Sequence, residues 1–146
     1  MPTENAPIDL APIILQASRA QVEAMMARLS RRGFDGLTPT FATLMPLLDA
    51  SGMRSNVLAQ KAGVTKQAMS QLVRLLEERH YVEQVPDPSD TRAKVVRLTK
   101  HGVALRKACE EVRKELQAEA VEALGKKDVL KLQQNLSTLI AVLSAR

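Results

Sequence analysis

The segment SNVLAQKAGVTKQAMSQLV, residues 55–73, is the part of the sequence that most restricts the fold. It predicts two helices joined by a tight turn, with Ser55 capping the first helix and Gly63 ending it. Ala59 is small, which suits a point where two helices cross closely, and Gly63 permits a left-handed turn between them. Thr65 then begins the second helix at once. This pattern is typical of a helix–turn–helix.

The second of these helices has two faces of opposite character. Its apolar residues recur at i, i+3, i+4 and i+7, and they are Met69, Leu72, Val73 and Leu76. Its outward polar residues follow the same spacing, and they are Gln67, Ser70, Gln71 and Arg74. At about 100° per residue the two sets lie on opposite sides of the helix, so one side anchors it and the other faces outward.

The polar face carries the groups that read a DNA major groove. Gln offers a donor and an acceptor together to adenine, Arg grips guanine through paired hydrogen bonds, and Ser is adaptable. Lys66 and the unbonded amides at the start of the helix suit a phosphate. Residues 50–76 contain no Asp or Glu, and their four cations predict a local positive field; these are Arg54, Lys61, Lys66 and Arg74. The alternative is an ordinary amphipathic helix with a solvated polar face.

Two runs of strand type follow, Tyr81–Val85 and Lys94–Leu98, on either side of the turn DPSDTRAK. A hairpin placed directly after a helix–turn–helix predicts a winged helix, in which the strands extend the domain along the duplex. Arg92 near the tip would enter a narrow minor groove, where the negative potential is strongest. Asp90 would pair with Arg92 and hold its side chain extended. As a mere surface salt bridge, the pair would contribute about 0–1 kcal/mol.

Two helices are predicted before the helix–turn–helix. The first covers residues 10–32, with apolar residues at helical spacing. The second has Thr38 as its N-cap and Pro39 at the first helical position, an order that proline favours. It is expected to reach about residue 49, with a kink at Pro46.

Two amphipathic helices are predicted after the hairpin. Thr99 caps a long helix that ends before Gly125, and the last helix follows. Their apolar stripes comprise Leu105, Cys109, Val112 and Leu116 in the long helix and Val129, Leu132, Leu136, Leu139 and Leu143 in the last. The terminal stripes have few partners in a chain this small. We therefore expect the first and last helices to pack against a second copy in a two-fold dimer.

Composition limits the functional class. The length of 146 residues is typical of one domain. A net charge of +5 and a pI near 9.7 favour a polyanionic partner, and an aromatic content of 2% argues against stacking single-stranded bases. The few Gly, His and Cys residues do not assemble a nucleophile with a base, paired carboxylates or a phosphate loop. We therefore expect no catalytic residues and no enzyme activity.

Cofactors and membranes are not expected either. A single Cys and two scattered His provide no metal-binding spacing, so we predict no metal site and no cofactor. The N-terminal run MPTENAPIDLAPIILQ lacks the basic start and long apolar core of a signal peptide. No apolar run is long enough to cross a bilayer. The expected location is the cytoplasm.

These motifs together resemble the MarR family of bacterial transcriptional regulators. The resemblance is carried by LAQKAGVTKQAMSQLVRLLEERHYV, by DPSDTRAKVVRLT and by the step from Leu98-Thr99 to Gly102. It implies a mainly α fold with a small β-hairpin, in which a winged helix-turn-helix lobe (residues 38–98) joins dimerisation helices (residues 9–32 and 99–146) in one domain of residues 1–146. It further implies a homodimer that binds double-stranded DNA at a pseudo-palindromic operator and usually represses.

The resemblance also places site residues on this sequence. The predicted DNA-contacting residues are Ser55, Thr65, Lys66, Gln67, Ser70, Gln71 and Arg74 on the helix pair and Asp90, Arg92 and Lys94 on the wing. Family members often sense a small phenolic or other organic acid between the dimer helices and the DNA-binding lobe. A pocket for such an effector would be lined by Met25, Phe41, Met45 and Leu105.

Two other functions stay open from the sequence. One is a thiol-based redox response through Cys109, although its place on an apolar stripe favours a buried structural thiol. The peroxide-sensing branch of the family has its Cys near the start of the first helix, where this chain has none. The other is a winged helix that has become a protein-interaction module. Such a module could lose the polar recognition face or the wing Arg, whereas this chain retains both.

Overall fold

The computed structural model describes residues 8–145; the prediction about a signal peptide falls partly on residues 1–7, which lie outside this range. Within residues 8–145 the helices are α1 (Ala11–Arg31), α2 (Phe41–Leu44), a 3-10 helix (Met45–Leu47), α3 (Ser55–Ala62), α4 (Lys66–Glu78), α5 (Lys100–Leu124) and α6 (Lys126–Ser144). The strands are β1 (Met53–Arg54), β2 (Val82–Asp87) and β3 (Asp90–Leu98). This mainly helical architecture with one small sheet confirms the predicted fold class.

The chain divides into two compact units, one ending at Glu110 and one beginning at Glu111, so the division falls within α5. The first unit contains the helix–turn–helix and the sheet. The second contains the remainder of α5 and α6. No helix in the described part of the chain is both long and apolar enough to cross a membrane.

The core of the first unit is organised around the apolar face of α4. All four predicted anchors are at most 8% exposed, namely Met69, Leu72, Val73 and Leu76. Helix α4 contacts α3 and β2, which contribute the buried Leu58, Ala59 and Val82. Full burial of each Leu or Val side chain stabilises the fold by about 1.5–3 kcal/mol. The outward direction of the polar face is a consequence of this anchoring.

Three helices end in the same left-handed turn. The residues with positive φ are Gly33 after α1 (88°), Gly63 after α3 (68°) and His80 after α4 (60°). In each turn the next amide donates back to a carbonyl five residues earlier, in the bonds Phe34 to Leu29, Val64 to Ala59 and Tyr81 to Leu76. Glycine suits this conformation because it has no Cβ. His80 adopts the same conformation with a side chain, which costs free energy.

Two predicted helix starts, at Thr65 and Thr99, are confirmed by hydrogen bonds of their side chains. The Thr65 hydroxyl accepts from the amide of Ala68 at 3.1 Å, and the Thr99 hydroxyl accepts from the amide of Gly102 at 3.0 Å. Each hydroxyl thereby bonds an amide that has no partner inside its own helix. The beginnings of α4 and α5 were therefore readable from the local sequence.

Two other predicted helix starts are wrong. Thr38 does not cap a helix reaching residue 49, because α2 begins only at Phe41 and gives way to a 3-10 helix that contains Pro46. Pro46 has no amide to donate, which limits the α-helix to a single turn. Ser55 is the first residue of α3 rather than its cap, since the extended Arg54 takes the capping position without a side-chain bond.

The sheet has three antiparallel strands in the order β1-β3-β2. Strand β1 was not predicted because two residues are too few to show alternation. Within β1, Arg54 lies opposite Val95 in β3, and Val85 of β2 lies opposite the same residue. The β2–β3 register is irregular at Pro86/Asp87, close to the tip.

Asp87 at the end of β2 is held by three hydrogen bonds. Its carboxylate accepts from the Ser89 amide at 2.9 Å, the Ser89 hydroxyl at 2.7 Å and Arg54 Nε at 2.6 Å. The Ser89 bonds and the adjacent Arg54 guanidinium lower the pKa of Asp87 from 3.8 to about 2. The wing thus includes an ion pair with the strand that leads into α3.

The turn after α4 joins the wing to the start of α5. The Thr99 amide donates to the Tyr81 carbonyl at 3.1 Å, and the Thr99 hydroxyl donates to the carbonyl of His80. A Cβ on Gly102 would overlap the Tyr81 carbonyl, so only glycine fits there. The buried Tyr81 ring stacks on His101 at 4.8 Å between ring centroids. Its hydroxyl donates to the Asp35 carbonyl, and burial together with the Asp35 charge raises the pKa of Tyr81.

Replacing His80 with glycine is expected to stabilise the protein. A side chain in the left-handed region costs roughly 1–2 kcal/mol, and the greater freedom of unfolded glycine offsets part of the gain. We therefore expect His80→Gly to raise the free energy of unfolding by about 1 kcal/mol in urea titrations. Gly63→Ala is the matched control, because an added Cβ there meets no atom within 4 Å. It should lower the free energy by a similar amount; equal stability of all three proteins would contradict the strain.

Asp87 is expected to make stability depend on pH in the acid range. Since its pKa is lowered in the folded protein, its stabilisation is complete above pH 3.8 and is lost as the pH falls toward about 2. The difference in free energy of unfolding between wild type and Asp87→Asn should be constant above pH 4 and shrink below it. Urea titrations over this range measure the difference. A difference independent of pH would show that the carboxylate is not held ionised.

Candidate nucleic-acid interface

The outward face of α4 presents unoccupied hydrogen-bonding groups. Gln67, Gln71 and Arg74 are exposed, and within residues 8–145 their side chains form no hydrogen bond or ion pair. Their donors and acceptors are therefore available to another molecule. Because the opposite face is buried, the direction of these side chains is set by the fold.

Two hydroxyls predicted to contact DNA also serve the helix itself. Ser70 Oγ donates to the carbonyl of Lys66 at 2.9 Å, so it presents lone pairs outward while that bond holds. The Thr65 hydroxyl accepts from Ala68 and keeps its own proton available to donate. Ser55 is half-buried at the first residue of α3. These three positions combine a structural role with the predicted contact.

The N-terminus of α4 favours an anion. Helix α4 has 13 residues and no acidic residue in its first turn, and Lys66 there is exposed. Amides at a helix N-terminus and the helix dipole both attract negative charge. This end of the helix, next to the outward face, therefore suits a phosphate.

The wing tip presents Arg92 to solvent. Its side chain is 94% exposed, and Nε lies 3.6 Å from Asp90 Oδ1. The same carboxylate accepts from the Arg92 amide at 3.1 Å. The predicted Asp90–Arg92 pairing is thus present, although an exposed pair stabilises the fold little. Lys94 is exposed on β3, opposite Pro86.

The positive field is smaller than the sequence indicated. Of the four cations in residues 50–76, Arg54 is already paired with Asp87. Lys61, Lys66 and Arg74 remain exposed on the helix pair. The acid-free segment therefore carries three solvent-facing positive charges on the two helices.

Sequence reasoning missed the Arg54–Asp87 pair. Part of the signal was present, because an Asp followed two residues later by Ser is typical of a turn in which the Asp side chain bonds the backbone. The partner was not readable, since Arg54 lies 33 residues earlier. Only the strand order brings the two side chains together.

The predicted effector residues lie mostly in the core. Phe41, Met45 and Leu105 are at most 4% exposed, and Met25 is half-buried. A separate cavity of about 180 Å³ is lined by Met26, Ser30, Phe34, Asp35, Gly36 and Leu37.

Cys109 is 5% exposed. Within residues 8–145, no three His, Cys, Asp or Glu side chains are grouped to hold a metal ion.

Comparison with known proteins finds one matching family model and several solved structures with a similar fold. The model of the MarR family matches residues 35–93. Wild-type MarR from E. coli is 23% identical with a TM-score of 0.70, covering 93% of this chain and 99% of that one. A mutant of E. coli MarR complexed with operator DNA is 22% identical with a TM-score of 0.72, covering 90% and 93%. A mutant of S. aureus MepR bound to an oligodeoxyribonucleotide is 21% identical with a TM-score of 0.58, covering 94% and 99%.

At these identities the solved structures establish the fold alone. The sequence matches no curated protein well enough to count as a relative. The sequence match to the MarR family model covers the segment that contains α3, α4, β2 and the tip of the wing. Residues 35–93 match the model of the MarR family, and the chain has the same fold as the solved MarR and MepR structures.

Proposed function

We propose that this protein is a sequence-specific DNA-binding regulator, which acts as a homodimeric repressor on a pseudo-palindromic operator. The observation that carries the proposal is that Gln67, Gln71 and Arg74 on the outward face of α4 are unbonded within residues 8–145, together with the exposed Arg92 of the wing. In this proposal Gln67, Gln71 and Arg74 read base edges in the major groove, and Arg92 enters the minor groove. Lys66 and Lys94 bind phosphates.

The described residues provide little else for a competing activity. The net charge of +5 favours a polyanion, and the outward face of α4 carries no acid. Two similar structures, of MarR and MepR mutants, were determined with operator DNA and with an oligodeoxyribonucleotide. Their complexes support the proposal that this fold binds duplex DNA here as well.

Exposed apolar side chains support a homodimer. In the first unit, large apolar residues at least 37% exposed cluster near the start of α1: Ile8, Leu10, Ile13, Ile14 and Leu15. In the second unit, those at least 38% exposed on α6 are Leu130, Leu132, Leu136, Ile140, Val142 and Leu143. Soluble chains rarely leave so much apolar surface in water. A second copy of the chain would cover both surfaces in an isologous interface.

Release from the operator by a small organic effector is part of the proposal. The residues predicted to line the site are Met25, Phe41, Met45 and Leu105, three of which are buried. An effector that binds there would have to open the core, and it would shift the dimer toward a state with lower affinity for DNA. Screening aromatic acids, antibiotics and oxidants for release of bound DNA identifies the class.

Binding to the DNA upstream of the coding region tests the main proposal. We expect the protein to bind this DNA far more tightly than scrambled DNA, with two chains per operator in the sedimenting complex. Affinity should fall steeply between two salt concentrations, because each bound cation releases counterions from the phosphates. Equal and weak binding to both DNAs would refute the regulator function. One chain per operator would refute the dimer.

Two variants separate the roles of wing and helix. Arg92→Ala should weaken operator binding, with most of the loss on sites that have A·T-rich flanks, while dimer and fold stay intact. Gln71→Ala should instead relax base preference in the half-site, at about 1–3 kcal/mol per lost bidentate contact. Affinities for a set of operator variants measure both effects. Uniform losses across the set would reassign Gln71 to phosphate, and unchanged affinity would leave Arg92 as a surface side chain.

A further inference from the structure

We propose that Arg54 is a positioning residue for DNA binding, whose ion pair with Asp87 fixes the direction of the wing relative to the helix pair. This inference rests on the proposed function, because a wing direction matters only if the wing reaches DNA. In this proposal Arg54 does not itself read DNA.

The ion pair joins the two edge strands of the sheet. Strand β3 is central, and both Arg54 of β1 and Val85 of β2 lie opposite Val95. Register partners point to the same face of a sheet. To reach Asp87, two residues beyond Val85, the Arg54 side chain must therefore cross the central strand. The pair therefore links β1 to the tip end of β2 across the central strand.

The Arg54–Asp87 bond is less exposed to solvent than the Arg97–Glu83 ion pair of the same sheet. The Asp87 side chain is 11% exposed, whereas the side chains of Arg97 and Glu83, joined at 2.8 Å, are 42% and 45% exposed. A partly buried carboxylate that loses its cation retains an uncompensated charge, which is costly. The two Ser89 bonds further fix the carboxylate. Arg54 therefore holds a rigid group rather than a mobile one.

The pair acts where the strand ladder is weakest. The register is irregular between Pro86 and Asp87, so main-chain bonds alone do not set the direction of the tip. Arg54 itself runs without a linker into Ser55, the first residue of α3. Asp87 precedes Arg92 by five residues. The Arg54 side chain is thus the direct link between the base of the tip and the helix that packs on α4.

A phosphate contact is the rival role for Arg54, and the two roles predict opposite signs for one variant. If Arg54 bound phosphate, Asp87→Asn would release it and strengthen DNA binding. If Arg54 positions the wing, Arg54→Gln and Asp87→Asn should impair the wing alike, and the double variant should be no worse than either. Arg97→Gln is the matched control, because it removes an ion pair of similar length that joins only β2 and β3.

The wing direction can be measured without DNA. Spin labels on Thr91→Cys at the tip and Gln60→Cys on α3, both exposed sites, report their separation in a Cys109→Ser background diluted with unlabelled protein. We expect a narrow distance distribution in the otherwise unchanged protein and in Arg97→Gln. The distribution should broaden in Arg54→Gln and Asp87→Asn. A distribution that stays narrow in both would overturn the positioning role.

DNA binding supplies the second readout. The preference for A·T-rich over G·C-rich flanks should fall roughly 3- to 30-fold in both pair variants and should not fall further in an Arg92→Ala background. This ratio does not depend on the fraction of folded protein, so loss of stability alone cannot produce it. Tighter binding by Asp87→Asn would overturn the inference in favour of phosphate contact. Failure of the wild type to prefer its operator would instead refute the proposed function, with the distance measurement still deciding the role of Arg54.

Discussion

The backbone of His80 and Tyr81 is the point on which the lobe formed by the helix pair and the sheet depends. The turn there ends α4, begins β2 and accepts both Thr99 bonds that start α5. Gly102 lets α5 approach the Tyr81 carbonyl at a distance that no side chain would allow. Helix α4, the wing and α5 therefore share one junction, and a change in its geometry would move all three. The left-handed His80 shows that the junction tolerates local strain in order to keep this shape.

In both α4 and the wing, one set of side chains anchors the element and another set faces solvent. The apolar face of α4 is at most 8% exposed and fixes the helix, while Gln67, Gln71 and Arg74 remain unbonded in the described chain. On the wing, Asp87 is tied inward to Arg54, and Arg92 extends into solvent at 94% exposure. In each element the buried or bonded residues therefore fix the position of the exposed residues. That division is what a preorganised DNA-binding surface requires.

The sequence was informative where the determining interactions are local. The caps at Thr65 and Thr99 bond amides three residues away, and the stripe of α4 repeats within two turns, so short patterns predicted both. The sequence did not predict the features that depend on pairing between distant segments of the chain. Strand β1 exists only because Met53 and Arg54 pair with β3, some forty residues later. The same pairing holds Arg54 extended, so that Arg54 and not Ser55 occupies the N-cap position of α3. It also brings the Arg54 side chain to Asp87.

The absence of bonds to Gln67, Gln71 and Arg74 within the described chain also affects which substitutions the protein can tolerate. Substitutions at Gln67, Gln71 or Arg74 break no hydrogen bond or ion pair within the described chain, and all three side chains are exposed. Exposed substitutions of this kind usually alter stability by less than about 0.5 kcal/mol. Under the proposed function, operator preference can therefore change, or be redesigned, nearly independently of folding. Substitutions at Arg54, Asp87 or Gly102 lack that freedom, because Arg54 and Asp87 hold the wing and Gly102 packs against the turn that ends α4.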